Sequence, residues 1–117
     1  MFLVIGTPDC KFCIDAKNVL NSNSLEYIYY DLSLKYGESW RDIFTYFKAC
    51  PSVPNNRQPR GIPIIFRFTG IVPQTETPVF ELPTDPLEWS ADWEYIGGIF
   101  DLEDYLDTVL DGIDDNY

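Results

Sequence analysis

Phe2-Leu3-Val4-Ile5 is an unbroken apolar run with β-branched members, stopped by Gly6. A strand without polar alternation offers no face to water, so it belongs inside a sheet covered on both sides. Thr7-Pro8-Asp9 then turns the chain, and Cys13, Ala16, Val19 and Leu20 recur at helical spacing until Asn21-Ser22-Asn23-Ser24 ends the helix. Leu25 to Leu32, rich in aromatic and β-branched residues, reads as a second strand. A strand, a helix and a strand within about 32 residues is the length of a βαβ unit, which places the chain in the α/β class.

Further along, Ser39 with Asp42 three residues on has the form of a helix N-cap, and Trp40, Ile43, Phe44 and Phe47 follow at i, i+3, i+4 and i+7. This predicts a second helix running to about Cys50. Four prolines between residues 51 and 63 make a loop, after which Ile64-Ile65-Phe66-Arg67-Phe68 is a third strand. Ile96 leads into Gly97-Gly98. Asp101 and Asp104 then open a helix with Leu102, Tyr105, Leu106 and Val109 on its apolar face, closed by Gly112 and followed by a frayed acidic tail over 113–117. The segment between is proline-rich, with one plausible strand over Pro78–Leu82 and a short helical turn around Leu87–Ala91. We read residues 69–94 as an insertion in a single domain spanning 1–112.

A chain of 117 residues with 45% hydrophobic content has room for one packed domain. Its net charge of −11 is the opposite of the basic footprint that nucleic acids or anionic lipid require. No apolar run approaches the length of a membrane span and the start lacks a basic leader, so a cytoplasmic location is expected. The charge is also divided. Residues 1–67 hold all eight basic residues against six acids, whereas residues 68–117 hold thirteen acids and no base.

The chain has no histidine, which excludes a histidine base, a Ser-His-Asp triad and any His-containing zinc site. Its three cysteines lie at 10, 13 and 50, too few and too uneven for a secreted disulfide framework. Cys10 precedes a helix, where unpaired backbone N–H groups and the helix dipole favour a thiolate. Cys13, one turn later, is spaced to attack a mixed disulfide held on Cys10. Lys11 adds a positive charge between them and Asp9 opposes it. A Cys-x-x-Cys can also be half of a zinc site, but zinc would need two more ligands and only Cys50 remains.

Cys10-Lys11-Phe12-Cys13 after the first strand, Gly61-Ile62-Pro63 ahead of the third, and Ile96-Gly97-Gly98 before the last helix together resemble a glutaredoxin in order and spacing. The resemblance covers roughly residues 1–68 and 95–110. It implies a thioredoxin fold, a central four-stranded mixed sheet flanked by helices, here with an insertion between the third and fourth strands. It also implies a disulfide oxidoreductase acting on protein disulfides or glutathione mixed disulfides, with Cys10 as nucleophile, Cys13 as resolving thiol and Pro63 as a cis-proline. The alternative for Pro63 is a trans proline opening an edge strand.

On the same resemblance, Ile62 presents its backbone to glutathione, and Gly97 and Gly98 allow close approach. The N–H groups of Ile99 and Phe100 meet its γ-glutamyl carboxylate, beside Asp101. Arg57, Gln58 and Arg60 are candidates for the glycyl carboxylate, or are simply solvated loop residues. The chain departs from the family pattern at Thr7, where a Lys is usual, at Lys11 for Pro and Phe12 for Tyr, and at Phe100, which stands before Asp101. Glutathione is implied as a co-substrate, with no tightly bound cofactor. The implied partners are a disulfide-containing protein such as ribonucleotide reductase, and glutathione or a thioredoxin reductase as reductant. Two other readings belong to different classes: an iron-sulfur or metal carrier of the glutaredoxin family, and a non-catalytic adaptor that binds protein through the acidic insertion, where Trp89 and Trp93 are candidate contacts. Cys50 fits a buried structural thiol.

Overall fold

In a computed structural model, residues 1–70 and 80–114 are described, with side chains described up to Val109. Four strands, β1 (Phe2–Gly6), β2 (Tyr27–Asp31), β3 (Ile64–Phe68) and β4 (Trp93–Gly97), form one mixed sheet in the order β2-β1-β3-β4. β1 runs parallel to β2 and antiparallel to β3, and β3 runs antiparallel to β4. The expected four-stranded mixed sheet flanked by helices is therefore present. Among the described residues, no helix is long and apolar enough to cross a membrane.

The apolar run at the start of the chain explains the layering. Phe2 and Val4 point into one cluster, which Ala16 and Leu20 of α1 (Lys11–Ser22) share with Leu102 and Leu106 of α4 (Ile99–Asp114). Leu3 and Ile5 point the opposite way, into a second cluster with Ile43 and Phe47 of α3 (Asp42–Lys48). Alternate side chains of one strand thus bury against two helical layers, as a strand without polar alternation requires.

Several local expectations change. Leu32 does not end the second strand but opens a short helix, α2 (Leu32–Tyr36). Its cap is Asp31, whose Oδ1 accepts from the Ser33 N–H at 2.9 Å. Ser39 closes a 3-10 turn rather than capping α3. Arg41 holds the cap position without a side-chain bond, and the helix stops at Lys48, short of Cys50. α4 continues through Gly112 to Asp114, so Gly112 does not close it and the expected tail loses its first two residues to the helix.

In the segment expected to be an insertion, Phe80–Leu82 is not a strand, the rest of that proposed strand lies outside the described residues, and the helical turn falls at Pro86–Glu88. The last two residues of that expected segment, Trp93 and Glu94, belong to β4. Thr69 N–H and Oγ1 both bond the Asp92 carbonyl, at 2.7 and 2.9 Å, closing the segment at its base.

Trp89 is not a surface contact. It is 6% exposed, with ring centroids 4.9 Å from Phe66, 5.4 Å from Phe47 and 5.5 Å from Phe80. An aromatic of that size next to an open sheet face gains more from burial than from exposure. Trp93 is half-buried against Phe68 and Phe80.

Candidate functional site

The β1–α1 junction carries Cys10. It sits at the N-cap of α1 in extended backbone geometry, and its Sγ accepts a hydrogen bond from the Cys13 N–H at 3.2 Å. A 12-residue helix thus begins with a sulfur in the place where a Ser or Asp oxygen commonly caps. The same thiol, half-buried, donates to the Ile62 carbonyl at 3.7 Å. The Ile62–Pro63 peptide is cis. Cys10, Cys13 and Cys50 are all free thiols.

Cys13 is fully buried, and its thiol is pushed up to about 12, first by burial and then by the Cys10 thiol beside it. Lys17, one turn further along α1, pulls the other way. The close seating of Cys13 requires glycine at the end of β1: a Cβ on Gly6 would overlap the Cys13 sulfur and lie 3.3 Å from the Tyr29 hydroxyl. Cys50 lies apart from this pair, 2% exposed in the cluster around Phe47, its thiol raised by burial.

A groove of about 410 Å³ opens beside Ile62 and Pro63. Its walls bring together Arg57, Gln58 and Arg60 from the loop before β3, Phe12 from α1, and Gly98, Ile99, Phe100 and Asp101 from the start of α4. Lys11 and Gly97 are not on its wall. Lys11 is the exposed first residue of α1. Gly97 is buried at the end of β4 with φ +128, and a Cβ there would overlap the Asp101 carboxylate. Gly97 therefore admits Asp101, whose Oδ2 accepts from the Gly98 N–H at 2.9 Å. That bond takes the donor at the cap of α4, and the Ile99, Phe100 and Asp101 N–H groups that follow have no i−4 acceptor within the helix.

Arg57 is fixed by a feature that the sequence does not reveal. The β3–β4 register passes from Phe66↔Tyr95 to Ile65↔Gly97, leaving Ile96 without a register partner. The Ile96 carbonyl instead accepts from Arg57 Nη2 at 2.6 Å, and the guanidinium lies 5.3 Å over the Tyr95 ring. One donor of the fork is thus engaged by the Ile96 carbonyl. Gln58 turns its amide to the Val53 and Pro54 carbonyls, at 3.4 and 3.3 Å, so its Nε2 serves its own loop. At the rim, Phe12 and Phe100 are 47% and 69% exposed with ring centroids 6.1 Å apart, an apolar pair open to solvent.

Sequence reasoning missed the roles of Gly6, Lys17 and Tyr29 around Cys13, and of Pro59 and Tyr95 on the groove. Gly6 was visible as a glycine ending a buried strand. Nothing in the sequence marks Tyr29 or Tyr95 apart from the other tyrosines. No protein-family model matches the chain, and no curated protein matches it significantly.

Proposed function

We propose that this chain is a thiol-disulfide oxidoreductase of glutaredoxin type on a thioredoxin-like fold, with which the strand order and mixed sheet are compatible. The observation that carries the reading is the Cys10 sulfur at the start of α1, accepting from the Cys13 N–H with Cys13 buried directly behind it. The sulfur there is half-buried and met by a backbone donor at the first turn of a helix, a setting suited to a nucleophilic thiol. The neighbouring thiol is kept protonated until it is needed.

In the cycle, Cys10 attacks a substrate disulfide and Cys13 displaces the substrate from the resulting mixed disulfide, leaving a Cys10–Cys13 disulfide. Glutathione or a thioredoxin reductase then restores the dithiol. The groove has the volume of a small-ligand site. Its Arg57, Arg60 and α4 N-terminus supply donors for the two carboxylates of glutathione, on a protein that is otherwise strongly acidic. The natural substrate would be a cytoplasmic protein disulfide, ribonucleotide reductase being one candidate.

The test is reduction of hydroxyethyl disulfide with glutathione, or of insulin with dithiothreitol, by the unsubstituted chain and by Cys10→Ser. Loss of nearly all activity in the variant is expected. Equal activity in the two proteins refutes the reading.

A further inference from the structure

We propose that Tyr29 is the hydrogen-bond donor that stabilises the Cys13 sulfur as a thiolate during resolution, with Lys17 holding the tyrosine ring in place; the inference rests on the dithiol reading above. Tyr29 lies on β2 opposite Val4, on the sheet face that α1 covers. Cys13 and Lys17 are four residues apart on that helix and share a face. The Lys17 ammonium stands 3.5 Å from the centroid of the Tyr29 ring, a cation–π contact that pins the ring from one side. The tyrosine hydroxyl and the Cys13 sulfur converge over Gly6: both come within 3.3 Å of the point where a Gly6 Cβ would stand.

The Tyr29 hydroxyl is buried and has no hydrogen-bond partner among the described residues. Buried phenols nearly always find one, so an unpartnered hydroxyl beside a thiol calls for an explanation. A protonated thiol is a weak acceptor, whereas a thiolate is a strong one. The hydroxyl makes no bond of normal geometry while Cys13 rests as a thiol, although it lies close enough to interact with that sulfur, and the bond tightens when Cys13 ionises. Burial, and after it the nearness of Cys13 and Asp31, raise the Tyr29 hydroxyl above its ordinary value, so it stays protonated and acts as donor, not base.

With the substrate sulfur bonded to Cys10, the Cys13 thiolate attacks Cys10 Sγ. The Cys10–Cys13 bond forms, the bond to the substrate sulfur breaks, and the electron pair leaves on the substrate thiolate. That thiolate takes up a proton from solvent, matching the one that Cys13 gave up to solvent on ionising. The cysteine pair is oxidised by two electrons, the substrate is reduced by two, and Tyr29 keeps its proton throughout.

The test is a stopped-flow reaction of the reduced full chain with one equivalent of the aryl disulfide dithiobis(nitrobenzoate). The first coloured thiolate is released when Cys10 attacks, and the second when Cys13 resolves the mixed disulfide. Tyr29→Phe keeps the ring and its Lys17 contact and removes only the hydroxyl. The expected result is an unchanged first phase and a second phase slowed about tenfold, the scale of losing one hydrogen bond to a charged group. Lys17→Met, which keeps the apolar stem, should slow the second phase only, by a smaller factor. An unchanged second phase in Tyr29→Phe, or equal slowing of both phases, overturns the assignment. If the unsubstituted chain releases no second equivalent, the dithiol reading itself fails and this inference fails with it.

Discussion

Gly6→Ala joins the fold to the site in a single methyl group. The added Cβ would overlap the Cys13 sulfur, sit 3.2 Å from the Cys13 Cβ and stand 3.3 Å from the Tyr29 hydroxyl. None of these neighbours yields readily: Cys13 is fully buried in α1, and Tyr29 is held by its register with Val4 and by the Lys17 ammonium. Gly6 has an ordinary negative φ, so the cost is steric rather than conformational. Overpacking a closed core by one carbon costs about 1–3 kcal/mol. For a domain of this size each kcal/mol lowers Tm by roughly 4–8 °C, so a fall of about 5–20 °C is expected in calorimetry of the reduced protein. Because the displaced atom is the Cys13 sulfur, the second thiolate-release phase with the aryl disulfide should slow as well. A Tm within about 2 °C of the unsubstituted protein, well below the smallest overpacking cost, would refute the close seating of Cys13 against β1.

Trp89→Ala should remove about 3–5 kcal/mol of stability, because the indole fills space between Phe47, Phe66 and Phe80 that smaller residues cannot collapse into. A urea-unfolding loss below about 1 kcal/mol would mean that the segment around Trp89 is peripheral to the core. Stability should also fall on the alkaline side. Burial raises Cys13 to about 12 and raises Cys50, Tyr29 and Tyr46 as well. In the unfolded chain cysteine and tyrosine ionise near ~8.5 and ~10, so their contribution is complete below about pH 8 and declines as pH rises through the folded values. Urea midpoints that stay level from about pH 8 to pH 11 would contradict this.

The parts legible in the sequence are those whose cause lies within a few residues. β3 occupies Ile64–Phe68 as its apolar run indicates, and the burial of β1 on both faces follows from the missing alternation. The placement of Cys10 at the head of a helix was equally legible, since a strand, a turn and a periodic apolar stripe bracket it. α2 was hidden because Asp31 does two things: it ends β2 and its carboxylate caps the helix that follows. Gly112 suggested a stop, yet α4 runs on to Asp114, since glycine disfavours a helix interior by only about 1 kcal/mol. Trp89 among polar residues had the look of an exposed aromatic, and only the open sheet face opposite it made burial the better outcome.

By itself the sequence determined the alternation of strand and helix, the absence of imidazole chemistry, and the pairing of two cysteines across one helical turn. The tertiary structure decided which distant groups those cysteines meet. Ile62, 52 residues away, lends its carbonyl to Cys10, and Tyr29 comes to Cys13 through the β1–β2 register. Arg57 is set on the groove by the unpaired Ile96 carbonyl, 39 residues away. Propensity, capping and periodicity act within a turn or two of the chain, whereas these meetings depend on sheet register and layer packing, which are settled only when the whole core closes.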